Sequence, residues 1–174
     1  EYMEFLIHAF NKERSPGKRN VYVFDIIKTG ADLKRTDIIK KYKENLSPEL
    51  LRKDDRLVYK MIMAEYYLEI SDPDGLYKQM KQISVSEIKT SFKKSDKKYK
   101  YFLSGYYYLI SEYFLLKDDY INAVKTVNKG INEAGEEDLL LLELSKVNYL
   151  RGVVEDAVFN LTKLTEAHNI NISI

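Results

Sequence analysis

The sequence predicts an all-α protein whose second half consists of stacked helical hairpins, and three observations carry that expectation. Apolar residues recur at helical spacing through nearly every segment. Glycine and proline are scarce, seven and three in 174 residues, which disfavours a turn-rich β architecture. Residues 104–137 also lie over residues 138–171 at a period of 34 residues, the range expected of helical-hairpin repeats.

The elements follow in order. Residues 1–12 read as a helix, with Phe5/Ala9 and Leu6/Phe10 spaced four apart on one apolar face, and Ser15-Pro16-Gly17 breaks it. The run Val21 to Ile27 is apolar and β-branched enough for a strand. No second strand candidate exists to pair its backbone groups, so it reads as a helix. Asp32 to Asn45 places Leu33, Ile38, Ile39, Tyr42 and Leu46 on a helical stripe. Ser47-Pro48-Glu49 offers a cap with proline in the first turn, a helix-start signature. From Asp54, Leu57, Met61, Ala64 and Leu68 form a broad apolar face. Asp72-Pro73 then opens a further helix with Leu76, Met80 and Ile83 inward. Ser95-Asp96 is expected to start a long helix reaching Leu116, and Lys117-Asp118-Asp119 to turn it. Tyr120 to Ala134 ends at Gly135, a residue suited to the left-handed C-cap. Leu139 to Leu150, a turn at Arg151-Gly152, and Val154 to Ala167 repeat the layout.

In the 34-residue register Ser111 falls on Ser145, Ala123 on Ala157, Ile110 on Leu144, Tyr107 on Leu141, Val127 on Leu161 and Gly130 on Leu164. Antiparallel helices approach closely only where small residues face each other, and the serines and alanines are such residues. Stacking one hairpin on the next would bury the apolar side that each exposes.

The pattern Tyr107-x2-Ile110-Ser111-x2-Phe114-x5-Tyr120-x2-Ala123-x3-Val127-x2-Gly130 resembles a tetratricopeptide repeat. Serine stands in both copies where that family has glycine, and Asn148 where it has an aromatic residue. A weaker match runs through Ala64, Tyr67, Leu76, Met80 and Ile83. The resemblance implies a right-handed superhelix of antiparallel hairpins, an α-solenoid. Its repeats would fall at 54–95 (degenerate), 98–135 and 138–171, preceded by helices over 1–53 that pack on them. It also implies a protein- or peptide-binding module. The concave groove would be lined by Met61, Glu65 and Leu68, then Tyr108, Glu112, Leu115 and Leu116, then Leu142, Lys146, Tyr149 and Leu150. The Lys and Asn pair with which some members grip a C-terminal carboxylate is replaced here by Met61/Glu65, Tyr108/Glu112 and Leu142/Lys146. The groove therefore suits an apolar peptide or an adjoining helix.

Chemistry is sparse. There is no cysteine, hence no disulfide or thiolate site. His8 and His168 lie near opposite ends, without a partner at ligand spacing. Asp72-Pro73-Asp74-Gly75 lacks the remaining ligands of a calcium loop and reads as a capped turn. No enzyme activity, cofactor or metal is expected. Net charge is +1, but residues 1–100 carry 22 Lys/Arg against 16 Asp/Glu and residues 101–174 carry 6 against 11. The densest basic stretch, Lys93, Lys94, Lys97, Lys98 and Lys100, is interleaved with Phe92, Tyr99 and Tyr101. It reads as a solvated helix start whose tyrosines face the core; the alternative is a nucleic-acid or anionic membrane surface. Another alternative is the peptide-sensing domain of a bacterial transcription regulator. The chain opens inside an amphipathic pattern, which suggests part of a longer bacterial protein. It would be cytoplasmic, or the cytoplasmic part of a membrane-anchored parent.

Overall fold

The computed structural model describes residues 1–93 and 97–168, and these form helices and turns with no strand. The chain divides at Ile83/Ser84 into two units, inside the 54–95 segment read as one degenerate repeat. No helix among the described residues is long and apolar enough to cross a membrane.

The first unit contains α1 (Tyr2–Lys12), α2 (Pro16–Asp32), α3 (Thr36–Tyr42), α4 (Lys53–Glu69) and α5 (Pro73–Met80). Helix α2 packs against α1, α3 and α4. The buried residues of α2, Asn20, Val23, Phe24, Ile26, Ile27 and Gly30, lie on one broad side of the helix, while Val21 at the start of the strand-like run is exposed. Val23, Phe24, Ile26 and Ile27 join Leu6, Phe10, Ile39, Tyr42, Ile62, Met63 and Tyr66 in one core. Phe5 lies outside it, exposed to solvent.

Two boundaries differ from expectation. The helix predicted from Asp32 is interrupted: Lys34 takes a left-handed φ of 52°, Arg35 N donates to Gly30 O at 2.7 Å, and Leu33 is exposed. Ser47-Pro48 starts only a 3-10 turn, Pro48–Leu50, and the Ser47 hydroxyl makes no cap bond. Tertiary bonds hold this segment instead. Buried Asn20 accepts from Ser47 N at 2.7 Å and donates to Ser47 O at 3.1 Å. The Arg56 guanidinium donates to the carbonyls of Pro48, Glu49 and Leu51. Downstream, Asp72 caps α5 by accepting from Gly75 N at 2.9 Å. Helix α5 stops at Met80, while Ile83 remains buried beyond its end.

The second unit contains α6 (Val85–Ser91), α7 (Lys97–Leu115), α8 (Tyr120–Ala134), α9 (Asp138–Leu150) and α10 (Val154–Ala167). The expected start at Ser95-Asp96 falls outside the described residues. Ser84 caps α6, accepting from Glu87 N at 3.0 Å, an Ser-x-x-Glu signal that the helical periodicity overshadowed. Helices α7 and α8 pack as one hairpin and α9 and α10 as another, and α9 lies on both α7 and α8. Ser111, Ser145, Ala123 and Ala157 are all buried, as close packing of paired helices requires. Gly130 serves the same end: a Cβ there would stand 2.8 Å from Tyr107 Cβ and 3.1 Å from Leu140 Cδ1. Gly135 closes α8 at φ 99°.

Candidate functional site

The face shared by α7 and α9 collects most of the predicted groove residues of the second unit. Along α9, Leu142, Lys146, Tyr149 and Leu150 follow helical spacing and are all exposed, while Leu140, Leu141, Leu144 and Val147 on its other flanks are buried. On α7, Tyr108 and Leu115 are half-buried and Leu116 is exposed at the helix end. Tyr149 is 66% and Leu142 54% exposed, an apolar investment that packing inside this unit does not use.

Between the two apolar groups lies a charged cluster. Glu112 and Lys146 are one repeat period apart, and Lys146 Nζ donates directly to Glu112 Oε1. The 34-residue interval in the sequence thus corresponds to lateral contact between neighbouring helices. Behind this pair sits Glu143, only 2% exposed. Its Oε1 accepts from the Ser111 hydroxyl at 2.7 Å, and its Oε2 lies 3.9 Å from Lys146 Nζ. The Glu143 carboxyl is raised to about 7, chiefly by burial and next by the nearby Glu112 carboxylate, with Ser111 and Lys146 opposing the shift. Ser111 is fully buried, so its hydroxyl ties α7 to α9 and is out of reach of a substrate. Periodicity did not single out Glu143. The available signal was one acid set within the run Leu139-Leu140-Leu141-Leu142-Glu143-Leu144.

A second polar link joins three helices. The Tyr107 hydroxyl on α7 donates to Glu133 of α8 at 2.7 Å, and Lys89 of α6 pairs with the same carboxylate at 3.1 Å. Desolvation and the adjacent Glu133 raise the Tyr107 hydroxyl, while the bond it donates holds Glu133 below the usual carboxylate range.

In the first unit the predicted contacts separate. Met61 is buried, Leu68 half-buried and Glu65 exposed. The protein mass around Glu65, together with Glu69 and Asp32, raises its carboxyl above the ordinary value even though the side chain reaches solvent. Met61 is therefore a core residue, turned inward because the α4 face that carries it packs against α5 and the rest of its unit.

The basic stretch also divides. Lys93, Lys97, Lys98 and Lys100 are exposed, and Lys94 lies outside the described residues. Lys100 pairs with Glu137 at 2.9 Å. Tyr99 is buried and Phe92 stacks on Phe102 at 4.7 Å, so these rings serve packing. Tyr101 points the other way and is exposed, because two residues along a helix turn the side chain through about 200°. The expectation that both tyrosines face inward holds for Tyr99 only. Of the histidines, His8 is exposed and His168 Nε2 lies 2.7 Å from Asp138 Oδ2, at the start of α9.

No family model matches this chain, and neither does any curated protein or any solved structure.

Proposed function

We propose that the second unit is a helical-repeat interaction module of the tetratricopeptide kind, its hairpins winding in a right-handed sense. It docks a protein or peptide partner along the α7/α9 face. One observation carries this reading: Tyr149, Leu142 and Leu150 stand exposed on a helix whose remaining faces are fully packed. A large ring with few rotatable bonds gives contact area at low entropic cost, and such residues dominate binding energy at interfaces. Tyr108 and Leu115 extend the apolar area on α7, and the Glu112–Lys146 pair supplies a polar centre that fixes register. The partner suited to this face is an amphipathic helix or extended peptide presenting an apolar stripe.

The test is selection of peptides against the full chain from a random display library, followed by affinity measurement with Tyr108→Ala/Tyr149→Ala. Loss of at least about thirtyfold is expected, the equivalent of roughly 2 kcal/mol at the centre of an interface. Selected peptides that bind the double variant as tightly as the wild type would remove this face from the reading.

A further inference from the structure

The first unit holds a cavity of about 310 Å³ lined by Phe10, Arg14, Pro16, Arg19, Asn20, Asn45, Ser47 and Leu50. Its two arginines differ from the others in the chain. Arg35 pairs with Asp37, Arg52 with Asp55, Arg56 donates to three backbone carbonyls, and Arg151 donates to Asn148. Among the described residues neither the Arg14 nor the Arg19 guanidinium meets a carboxylate, and no acid lines the cavity. Arg19 is held over the Phe10 ring, 4.5 Å from its centroid, which orients the guanidinium without neutralising it. The nearest acid in sequence, Glu13, is turned to the backbone, accepting from the N–H groups of Arg14 and Ser15, and Lys18 acts on it electrostatically.

The cavity wall is firm on the opposite side. Asn20 is buried and spends its amide on both backbone groups of Ser47, so this side chain and the turn it holds form a fixed surface. The Ser47 hydroxyl is not used as a helix cap. Phe10 and Leu50 give the cavity two apolar walls, and Leu50 is otherwise an exposed leucine without packing to justify it. The first turn of α2 contains no acid, so the positive end of that helix adds to the charge excess.

We propose that this cavity binds a small organic phosphate, with Arg14 and Arg19 on the phosphoryl oxygens and the organic body against Phe10 and Leu50. Charge decides the class. Two uncompensated guanidinium groups match a phosphate monoester carrying nearly two negative charges at neutral pH, whereas a carboxylate neutralises only one of them. Planar guanidinium donors also fit phosphoryl oxygens in bidentate fashion. The volume is at the low end for ligand sites, which limits the body to about one ring. This site lies in the first unit and is independent of the α7/α9 face.

The probes are phenyl phosphate, inorganic phosphate and benzoate, titrated into the full chain with backbone amide NMR shifts as the readout. Phenyl phosphate is expected to bind most tightly and to shift amides near residues 10–20 and 45–50. Arg14→Gln and Arg19→Gln should each weaken it about tenfold, the size of one charge-assisted contact. Lys18→Gln removes an equal charge on the same helix turn outside the cavity and should change affinity less than about twofold. All three side chains are exposed, so the variants keep the fold, and unchanged amide spectra confirm it. The assignment is overturned by absence of binding, by Lys18→Gln weakening binding as much as the arginine variants do, or by phenyl phosphate binding no more tightly than inorganic phosphate or benzoate.

Discussion

The α7/α8 and α9/α10 hairpins carry the same 34-residue template, yet equivalent positions meet different surroundings. Val127 and Leu161 correspond, but Val127 is fully buried and Leu161 is 42% exposed. Gly130 is buried against Tyr107 and Leu140, while its counterpart Leu164 is half-buried. Helix α8 lies against both α7 and α9, whereas α10 lies against α9. A repeat therefore specifies one apolar face per helix, and the number of neighbours decides how much of that face is used. Leu109 and Glu143 teach the complementary lesson: both are buried at the same repeat position, one apolar and one an acid that needs Ser111 and Lys146 around it.

The largest expected effect comes from that last pair. Glu143 is raised from 4.5 to about 7 in the folded protein, so between these values the folded state holds more protons than the unfolded chain. This group's contribution to stability is fully present below about pH 4.5 and is lost as pH rises to about 7, a change on the order of a few kcal/mol. Urea unfolding across this range should show the decline, and Glu143→Gln, which keeps an acceptor for Ser111, should flatten it. An unchanged pH slope in the variant would mean that Glu143 does not differ in kind from Leu109. Next in size, Val127→Ala should cost about 2 kcal/mol for two buried methyl groups, and Leu161→Ala less than about 0.5 kcal/mol. Equal losses would show that the two hairpins have the same neighbours. The smallest effect concerns the helix starts. Asp119 caps α8 by accepting from Asn122 N at 3.1 Å, whereas Val153, at the N-cap position of α10, offers no side-chain cap. Asp119→Ala should lower stability by about 1 kcal/mol, and Val153→Asp should raise it by about 0.5 kcal/mol, both read as shifts in melting temperature.

Helical periodicity and small-residue placement made much of the architecture legible in advance. The α5 cap at Asp72, the turn before α8, the glycine stop at Gly135 and the buried Ser111, Ser145, Ala123 and Ala157 all involve residues within a few positions of one another or repeated at the fixed interval. Ser47-Pro48 misled because its backbone is claimed by Asn20, 27 residues earlier in the chain. The candidate face was partly legible: Tyr149 and Leu142 stand exposed, but Met61 is interior and Glu112 is nearly so. Exposure at any one position depends on which helix lies across it, and no local pattern records that.

The sequence alone determined that these residues form helices and where several of them start and stop. These outcomes follow from side-chain spacing, capping and backbone conformation within a few residues. Only the tertiary structure decided that Glu143 would be a buried acid beside Glu112 and Lys146, that Val127 and Leu161 would differ in burial, and that Arg14 and Arg19 would share a cavity without a carboxylate. Burial and electrostatic environment are properties of neighbours brought together from distant parts of the chain, and they arise only once the helices pack.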